Sequence, residues 1–233
     1  MKYVFYLSFI LCFTSVLGQS PVSESLNKEK GGRLEISQSR EIKGTDFIYD
    51  EWNKGILVLN DSVFSKQDYL KYDTYKDRVL IKNMNNISEV IEIKDKSFTG
   101  FSIIEGKKNI KHDFVKIPSE NFKDEDQGGF YEIVFNKENT NYFIKKNSKV
   151  LYDPNRSKGT QTINNYPLEY RDIVEYYIKN NEGLYVNVKL KKKDIKSILT
   201  NHSQDIDFYI KANKIKFSKE NDVMKLINYY YSL

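Results

Sequence analysis

The chain reads VEYYIKNNEGLYVNVKL from residue 174 to residue 190, and the spacing of apolar residues here is the clearest local signal in the sequence. Apolar or aromatic residues alternate with other residues on both sides of a polar turn at 180–183: Val174, Tyr176 and Ile178 before it, and Leu184, Val186, Val188 and Leu190 after it. Alternate residues of a strand share one face, and a short turn containing glycine joins antiparallel neighbours. The stretch therefore predicts a β-hairpin.

The spacing changes after this hairpin. Apolar residues then recur at intervals of three and four, as on one face of a helix: Ile195, Ile198, Leu199, His202, Ile206, Tyr209 and Ile210. We expect His202 to pack on that face, and a break at 201–203 to divide the segment into two helices. Residues 218–233 predict a further helix, with Ser218 as its N-cap, Glu220 and Asp222 in its first turn, and one apolar side formed by Val223, Leu226, Ile227 and Tyr230.

Upstream of the hairpin, short apolar segments such as ILVL at 56–59 and YEIVF at 131–135 are separated by turn-forming residues. Such spacing is typical of an antiparallel meander. A polar stretch at 152–165 predicts a long loop. We therefore predict an α+β fold, with an antiparallel, twisted sheet or open barrel over 44–190, followed by C-terminal helices over about 192–231.

The first residues, MKYVFYLSFILCFTSVLGQS, have the pattern of a secretory signal peptide. A basic residue precedes an apolar run at 4–13, and short residues follow, which predicts a signal peptide over 1–18 and a mature chain from Gln19. The apolar run is shorter than the ~20 residues that span a bilayer. An uncleaved anchor is the alternative. We expect an exported protein, periplasmic or secreted, without a membrane span after cleavage.

The polar residues 19–43 predict a flexible leader, and 44–233 a single β-rich domain with its helices at the end. Cys12 is the only cysteine and lies within the signal peptide. The mature chain therefore has no disulfide, no thiolate metal site and no cysteine nucleophile. A net charge of +5 is small beside 37 basic and 32 acidic residues, so nucleic acid is not an expected partner. No cofactor is expected, because phosphate-binding glycine loops, dinucleotide fingerprints and zinc spacings are absent from the sequence.

The only tryptophan gives one candidate binding site. Trp52 follows two carboxylates, Asp50 and Glu51, within GTDFIYDEWNKG at 44–55. An exposed Trp52 could stack on a sugar, and the carboxylates could serve a hydrolase or lyase acting on envelope glycans. Adjacent strand residues point to opposite faces, which makes the two carboxylates a poor acid and base pair outside a turn. Packing of Trp52 in or near the core is the favoured interpretation.

A dense basic cluster gives the second candidate site. It lies in KLKKKDIK at 189–196 and comprises Lys189, Lys191, Lys192, Lys193 and Lys196. Such a cluster attracts anionic lipids or glycans. A solvated start of a helix is the favoured interpretation, but lysines near a helix N-terminus are mildly unfavourable, which leaves anion binding open.

Metal and histidine sites are weakly indicated. KDEDQGG, residues 123–129, begins like a calcium loop, but Gly128 stands at a ligand position and Phe135 at the position of the final glutamate. We interpret it as an acidic turn and expect no metal. His112 is expected to be exposed, and neither it nor His202 lies near a nucleophile motif.

Both ends of the mature chain resemble a group of uncharacterised secreted proteins of the Bacteroidota envelope. The residues are GTDFIYDEWNKGILVLND from Gly44 and YLKYDTYKDRVLIK from Tyr69, with KKKDI at 191–195 and KENDVMKLINYYYSL at 219–233. The resemblance implies a bacterial envelope protein with a signal peptide and one β-rich unit with terminal helices. It carries no catalytic residues, and it departs at the leader and at 152–165.

These patterns together predict an exported, non-enzymatic protein that binds a protein partner or an envelope component. Export, the lack of a catalytic constellation and the abundance of tyrosine, a residue common in interfaces, favour this function. The glycan hydrolase or lyase and the binding of anionic lipid or glycan by the cluster at 189–196 are the alternatives. The sequence leaves the partner and the oligomeric state open.

Overall fold

The protein folds as one large antiparallel sheet followed by three helices. A computed structural model describes residues 40–63, 68–83, 89–124, 128–155 and 166–233, and Arg40–Leu233 form one compact unit. The strands are β1 Ile42–Lys43, β2 Asn53–Leu59, β3 Ser62–Val63, β4 Asp68–Asp73, β5 Arg78–Lys82, β6 Val90–Glu92, β7 Phe98–Glu105, β8 Ile110–Ile117, β9 Gly129–Lys137, β10 Thr140–Tyr152, β11 Leu168–Lys179 and β12 Tyr185–Val188. The helices are α1 Lys192–Ile198, α2 Ser203–Ala212 and α3 Glu220–Tyr230. The predicted α+β class is confirmed.

The sheet is open and nearly all of its connections are local. Its order is β1-β11-β10-β9-β8-β7-β2-β4-β5-β6, with β12 beside β11 and β3 beside β2. Neighbouring strands are antiparallel, apart from β1 and β11, which are parallel. The predicted hairpin is confirmed as β11 and β12, and the Asn180 side chain accepts hydrogen bonds from the backbone N–H groups of Glu182 and Leu184 in its turn.

The segment before β2 connects distant parts of the sheet. Ile42 and Lys43 pair with β11, whereas Phe47 forms a bridge with Asp73 at the end of β4. The Arg40 guanidinium also binds the Asp153 carboxylate through two hydrogen bonds. Residues 40–43 are therefore part of the fold, and the prediction that the flexible leader extends to residue 43 is wrong at this end. Residues 1–39, which hold the predicted signal peptide, lie outside the described residues.

The helices cover one face of the strands that precede them. Side chains from β10, β11 and β12 form one buried core with the helices: Phe143, Ile178, Val188, Ile195, Leu199, Ile206, Ile210, Val223, Leu226, Ile227 and Tyr230. The apolar spacing that predicts the helices therefore also predicts their buried face. His202 is the exception. It is exposed and has a left-handed backbone before α2, so its predicted packing is wrong.

The predicted start of the last helix also needs correction. Lys219, and not Ser218, is the N-cap of α3, and no side chain caps it. The carboxylate of Asp222 accepts a hydrogen bond from the backbone N–H of Lys216 and so holds the preceding turn. Within the described ranges, no helix has both the length and the apolar character needed to cross a membrane.

The other half of the sheet has a core rich in aromatic rings. Its buried members are Leu57, Leu70, Tyr72, Val79, Phe98, Phe101, Ile103, Phe114 and Phe130. Phe101 stacks on Phe114 with 4.6 Å between ring centroids, and Tyr72 meets Phe101 edge to face. Large rings on adjacent strands fill this space without a covering helix, because each buries a large apolar area.

Candidate functional site

A row of charged side chains lies between the core that the helices form with β10–β12 and the aromatic core. The strand register places His112 opposite Ile103, Glu132 opposite Phe114, and Lys145 opposite Glu132. Residues directly opposite each other point to the same face, so these polar side chains share the face of the aromatic core. We call Glu105, His112, Glu132, Lys145 and Glu220 the charged row.

Direct contacts join its members. His112 Nδ1 lies 2.7 Å from Glu132 Oε1, and Lys145 Nζ lies 3.2 Å from the same oxygen. Lys145 Nζ also lies 3.0 Å from Glu220 Oε2, so the row extends into the first turn of α3. Asn147 Nδ2 donates to Glu132 Oε2 at 2.7 Å. Glu132 is buried, and burial of a charge is tolerated only with such partners.

One atom of the row lacks a hydrogen bond. His112 Nε2 is buried and has no hydrogen-bond partner among the described residues. The Glu105 Oε2 atom lies 3.7 Å away, too far for a hydrogen bond. The prediction of an exposed His112 is therefore wrong. Its side chain retains only 19% of its exposure, because β7, β9 and the Tyr49 ring surround it.

The row shifts the pKa of its ionisable groups. The hydrogen bond to Glu132 raises the pKa of His112 above its ordinary value, although burial opposes the shift. Burial alone would raise the pKa of Glu132, but the bond from His112 and the charge of Lys145 lower it overall. Burial raises the pKa of Tyr49 and Tyr176, which lie beside the row's carboxylates. These shifts favour the protonated forms of His112 and Lys145 and the ionised form of Glu132.

We expect the fold to lose stability as pH rises through the pKa of His112. Because the folded pKa exceeds the unfolded value of about 6.5, protonated His112 stabilises the protein below that pH, and the contribution disappears above the folded pKa. Urea unfolding of the wild type and of His112→Gln at several pH values measures the difference between their free energies of unfolding. It should be largest below pH 6.5 and shrink at alkaline pH.

The His202→Gln variant is the matched control, because His202 is the other histidine and is exposed. NMR spectra of the two variants also assign the two imidazole signals. A difference in the free energy of unfolding between the wild type and His112→Gln that stays constant across the whole pH range would contradict the expectation.

A cavity of about 220 Å³ opens beside the end of the charged row. It is lined by Ile48, Tyr49, Asp50, Glu51, Asn53, Glu105, Gly106 and Lys107. Two of the predicted site residues, Asp50 and Glu51, therefore lie at this cavity, and both are exposed. Lys107 Nζ lies 3.8 Å from Glu51 Oε1. Asn53 fixes the cavity wall, because its side chain accepts a hydrogen bond from the Gly106 N–H and donates to the carbonyl of Glu51.

Trp52 does not line this cavity. Its ring is partly buried and lies 5.6 Å from Lys71 Nζ, which also lies 4.4 Å from the Phe47 ring. The ammonium group thus lies near two aromatic rings, an arrangement that stabilises a cation. The two carboxylates and Trp52 are neighbours in sequence, but the cavity brings together only the carboxylates.

The predicted basic cluster lies at the start of α1, and an acidic residue of α2 neutralises part of it. Lys196 Nζ lies 2.8 Å from both carboxylate oxygens of Asp207, and Lys192 Nζ lies 3.9 Å from one of them. Lys189, Lys191 and Lys193 are exposed. The helix begins at Lys192 and has no side-chain cap.

The predicted acidic turn at 123–129 is only partly described, since 125–127 lie outside the described residues. Gly128 and Gly129 both have positive φ, at 71° and 115°, which suits a sharp turn into β9. No group of three or more histidine and carboxylate side chains that could hold a metal ion was found among the described residues.

The outer edge of β11 carries the longest run of consecutively exposed residues among the described strands. Residues 171–175 are consecutively exposed, and they include Ile173 and Val174, with Val150 of β10 nearby. A strand edge with apolar side chains is a template for pairing with another chain, and most proteins cover it. No local sequence pattern predicts this edge, because strand neighbours are set by contacts between residues far apart in the chain.

A scan against protein-family models, a search of curated proteins and a search of solved structures gave no match for this chain.

Proposed function

We propose that this is an exported, non-enzymatic protein that binds a protein partner through the exposed edge of β11. The observation that carries the proposal is the run of exposed residues at 171–175, in which Ile173 is 38% and Val174 is 46% exposed. Apolar side chains beside unpaired backbone groups provide both the hydrophobic and the hydrogen-bonding parts of an interface.

The surroundings of this edge support partner binding. Val150 on β10 is 43% exposed, and the Tyr75 and Tyr170 rings contact each other close to β1. Tyrosine is common in protein interfaces, since it contributes a large apolar area and a hydroxyl group. The charged row, by contrast, has no described nucleophile beside His112, so its main contribution is to join the sheet to α3.

A photo-crosslinking residue at position 173 is expected to capture one partner of defined mass when the full chain is produced in its source cells. The reason is that the Ile173 side chain projects from the proposed interface. Denaturing gels and mass spectrometry identify the adduct. The additional substitution Val174→Asp should reduce the adduct about fivefold or more, because it places a second carboxylate beside Asp172 at the interface.

Position 208 is the matched control for this experiment. Phe208 is 73% exposed and lies on α2, outside the run 171–175 of β11. A crosslinker at position 208 should not capture the same protein. Equal capture from both positions, or an adduct that Val174→Asp leaves unchanged, would contradict the proposal.

Export is the second part of the proposal, and the apolar run at 4–13 supports it. The resemblance to secreted Bacteroidota envelope proteins points the same way. We expect the N-terminus of the protein purified from its source cells to be Gln19. Mass spectrometry of the intact chain measures this, and a chain that retains Met1 in the cytoplasmic fraction would contradict export.

A further inference from the structure

The exposed edge of β11 is bounded on both sides by short strands of the same chain. β1 pairs with Leu168 and Glu169, and β12 pairs with residues 176–179. No described strand pairs with residues 170–175 on this edge. We call these six residues the β11 slot. At about 3.3 Å per residue, the slot is about 20 Å long.

Backbone groups in the slot point outward. The N–H of Leu168 donates to Glu41, so even-numbered residues direct their backbone groups to this edge. The Ser148 hydroxyl of β10 donates to the carbonyl of Ile173. The backbone groups of the odd-numbered residues therefore lie on the opposite side of β11, which pairs with β10. The N–H and C=O groups of Asp172 and Val174 therefore face the slot, where a further strand would bind them.

The two flanking strands select the kind of occupant. The complete edge of another sheet, including that of a second copy, would collide with β1 or β12, which occupy the same side of β11. An extended segment about six residues long avoids both, since its flanking residues can turn away. Short flanking strands therefore prevent sheet-to-sheet association but admit a single peptide strand.

We infer that the β11 slot binds an extended segment of a partner protein as an added antiparallel strand. This inference rests on the proposed function and specifies its mode of binding. Arg171, Ile173 and Glu175 share one face of β11 because they alternate along the strand. In an antiparallel pair they occupy the positions where opposing side chains approach most closely. The segment thus carries an acidic, an apolar and a basic residue opposite Arg171, Ile173 and Glu175, respectively.

The probe is a fluorescent peptide, Ser-Lys-Val-Ile-Thr-Glu-Ser, in which the lysine lies opposite Glu175 and the glutamate lies opposite Arg171. We expect saturable binding to the mature protein, measured by fluorescence anisotropy. N-methylation of the peptide valine and threonine removes the two N–H groups that face β11, and should weaken binding about 30-fold. N-methylation of the isoleucine and glutamate, whose N–H groups face solvent, is the matched control and should change binding less than about threefold.

A charge exchange tests the register. Glu175 is exposed, so Glu175→Lys should leave the fold intact. The variant should bind the original peptide about fivefold more weakly, and a peptide with glutamate in place of its lysine should restore the affinity. Failure of the original peptide to bind, or equal effects of the two methylation patterns, would overturn the inference.

Three further outcomes separate this inference from the proposed function. Specific crosslinking at position 173 without peptide binding would preserve partner binding and reject strand addition. A dimer in light scattering that Glu175→Lys dissociates would assign the edge to a second copy of the chain. It would reject both the binding of a different protein and the addition of that protein's strand. Loss of position-specific crosslinking with retained peptide binding would reject the proposed partner alone.

Discussion

Replacing Glu132 with alanine is expected to lower the free energy of unfolding by about 3–5 kcal/mol at pH 7. The substitution removes the carboxylate that accepts hydrogen bonds from His112 and Asn147 and pairs with Lys145. Loss of one partner from a buried ionic network is costly, because the remaining charges stay buried and incompletely paired. Urea unfolding followed by circular dichroism measures the effect.

A second substitution at the same position separates the role of the charge from the role of the hydrogen bonds. Glu132→Gln keeps the shape of the side chain and its capacity to accept a hydrogen bond, so its loss of stability should be intermediate. Glu120→Ala removes an exposed carboxylate and should change the free energy of unfolding by less than about 0.5 kcal/mol. A Glu132→Ala protein as stable as Glu120→Ala would show that the charged row does not stabilise the fold.

Replacing Phe101 with alanine is expected to cost about 3–5 kcal/mol through the loss of core packing. The Phe101 ring is 1% exposed, and it contacts the rings of Phe114, Tyr72, Phe98 and Phe130. Removal of the ring leaves a cavity in a region that no helix covers. Since a domain of this kind has about 5–15 kcal/mol of stability, the loss is a large part of the total.

Phe208→Ala is the control for this prediction, because Phe208 is 73% exposed and its removal leaves no cavity. The variant Phe101→Leu should lose less stability than Phe101→Ala and remains measurable if the alanine variant does not fold. Thermal unfolding ranks the three proteins. Equal midpoints for Phe101→Ala and Phe208→Ala would contradict the role of the aromatic core.

The strands and helices were largely predictable from local spacing. The alternation around the turn at 180–183 predicts β11 and β12, and the interval of three and four after Leu190 predicts the helices and their buried residues. Such patterns predict the elements because each strand or helix buries one face, and the spacing of the buried residues is visible within a short stretch of sequence. His202 breaks this rule because it lies between two helices, where the helical period does not apply.

The charged row was not predictable in the same way. Glu132 lies between apolar residues in FYEIVF, and Lys145 follows YFI, so an inward charge on each strand was a visible signal. Pairing them with His112 requires the registers of three strands, and these depend on contacts between residues distant in sequence. For this reason sequence proximity groups Asp50, Glu51 and Trp52 into one candidate site, whereas the sequence predicts an exposed His112.

The amino-acid sequence alone determined the order of strands before helices, the lack of cysteine after Gln19 and the buried faces of the helices, because composition and local period fix these properties. Only the tertiary structure decided that Glu105, His112, Glu132, Lys145 and Glu220 form one row and that residues 170–175 form an open edge. Both features depend on which strands become neighbours. That choice is made by packing between residues far apart in the chain, and local sequence does not encode it.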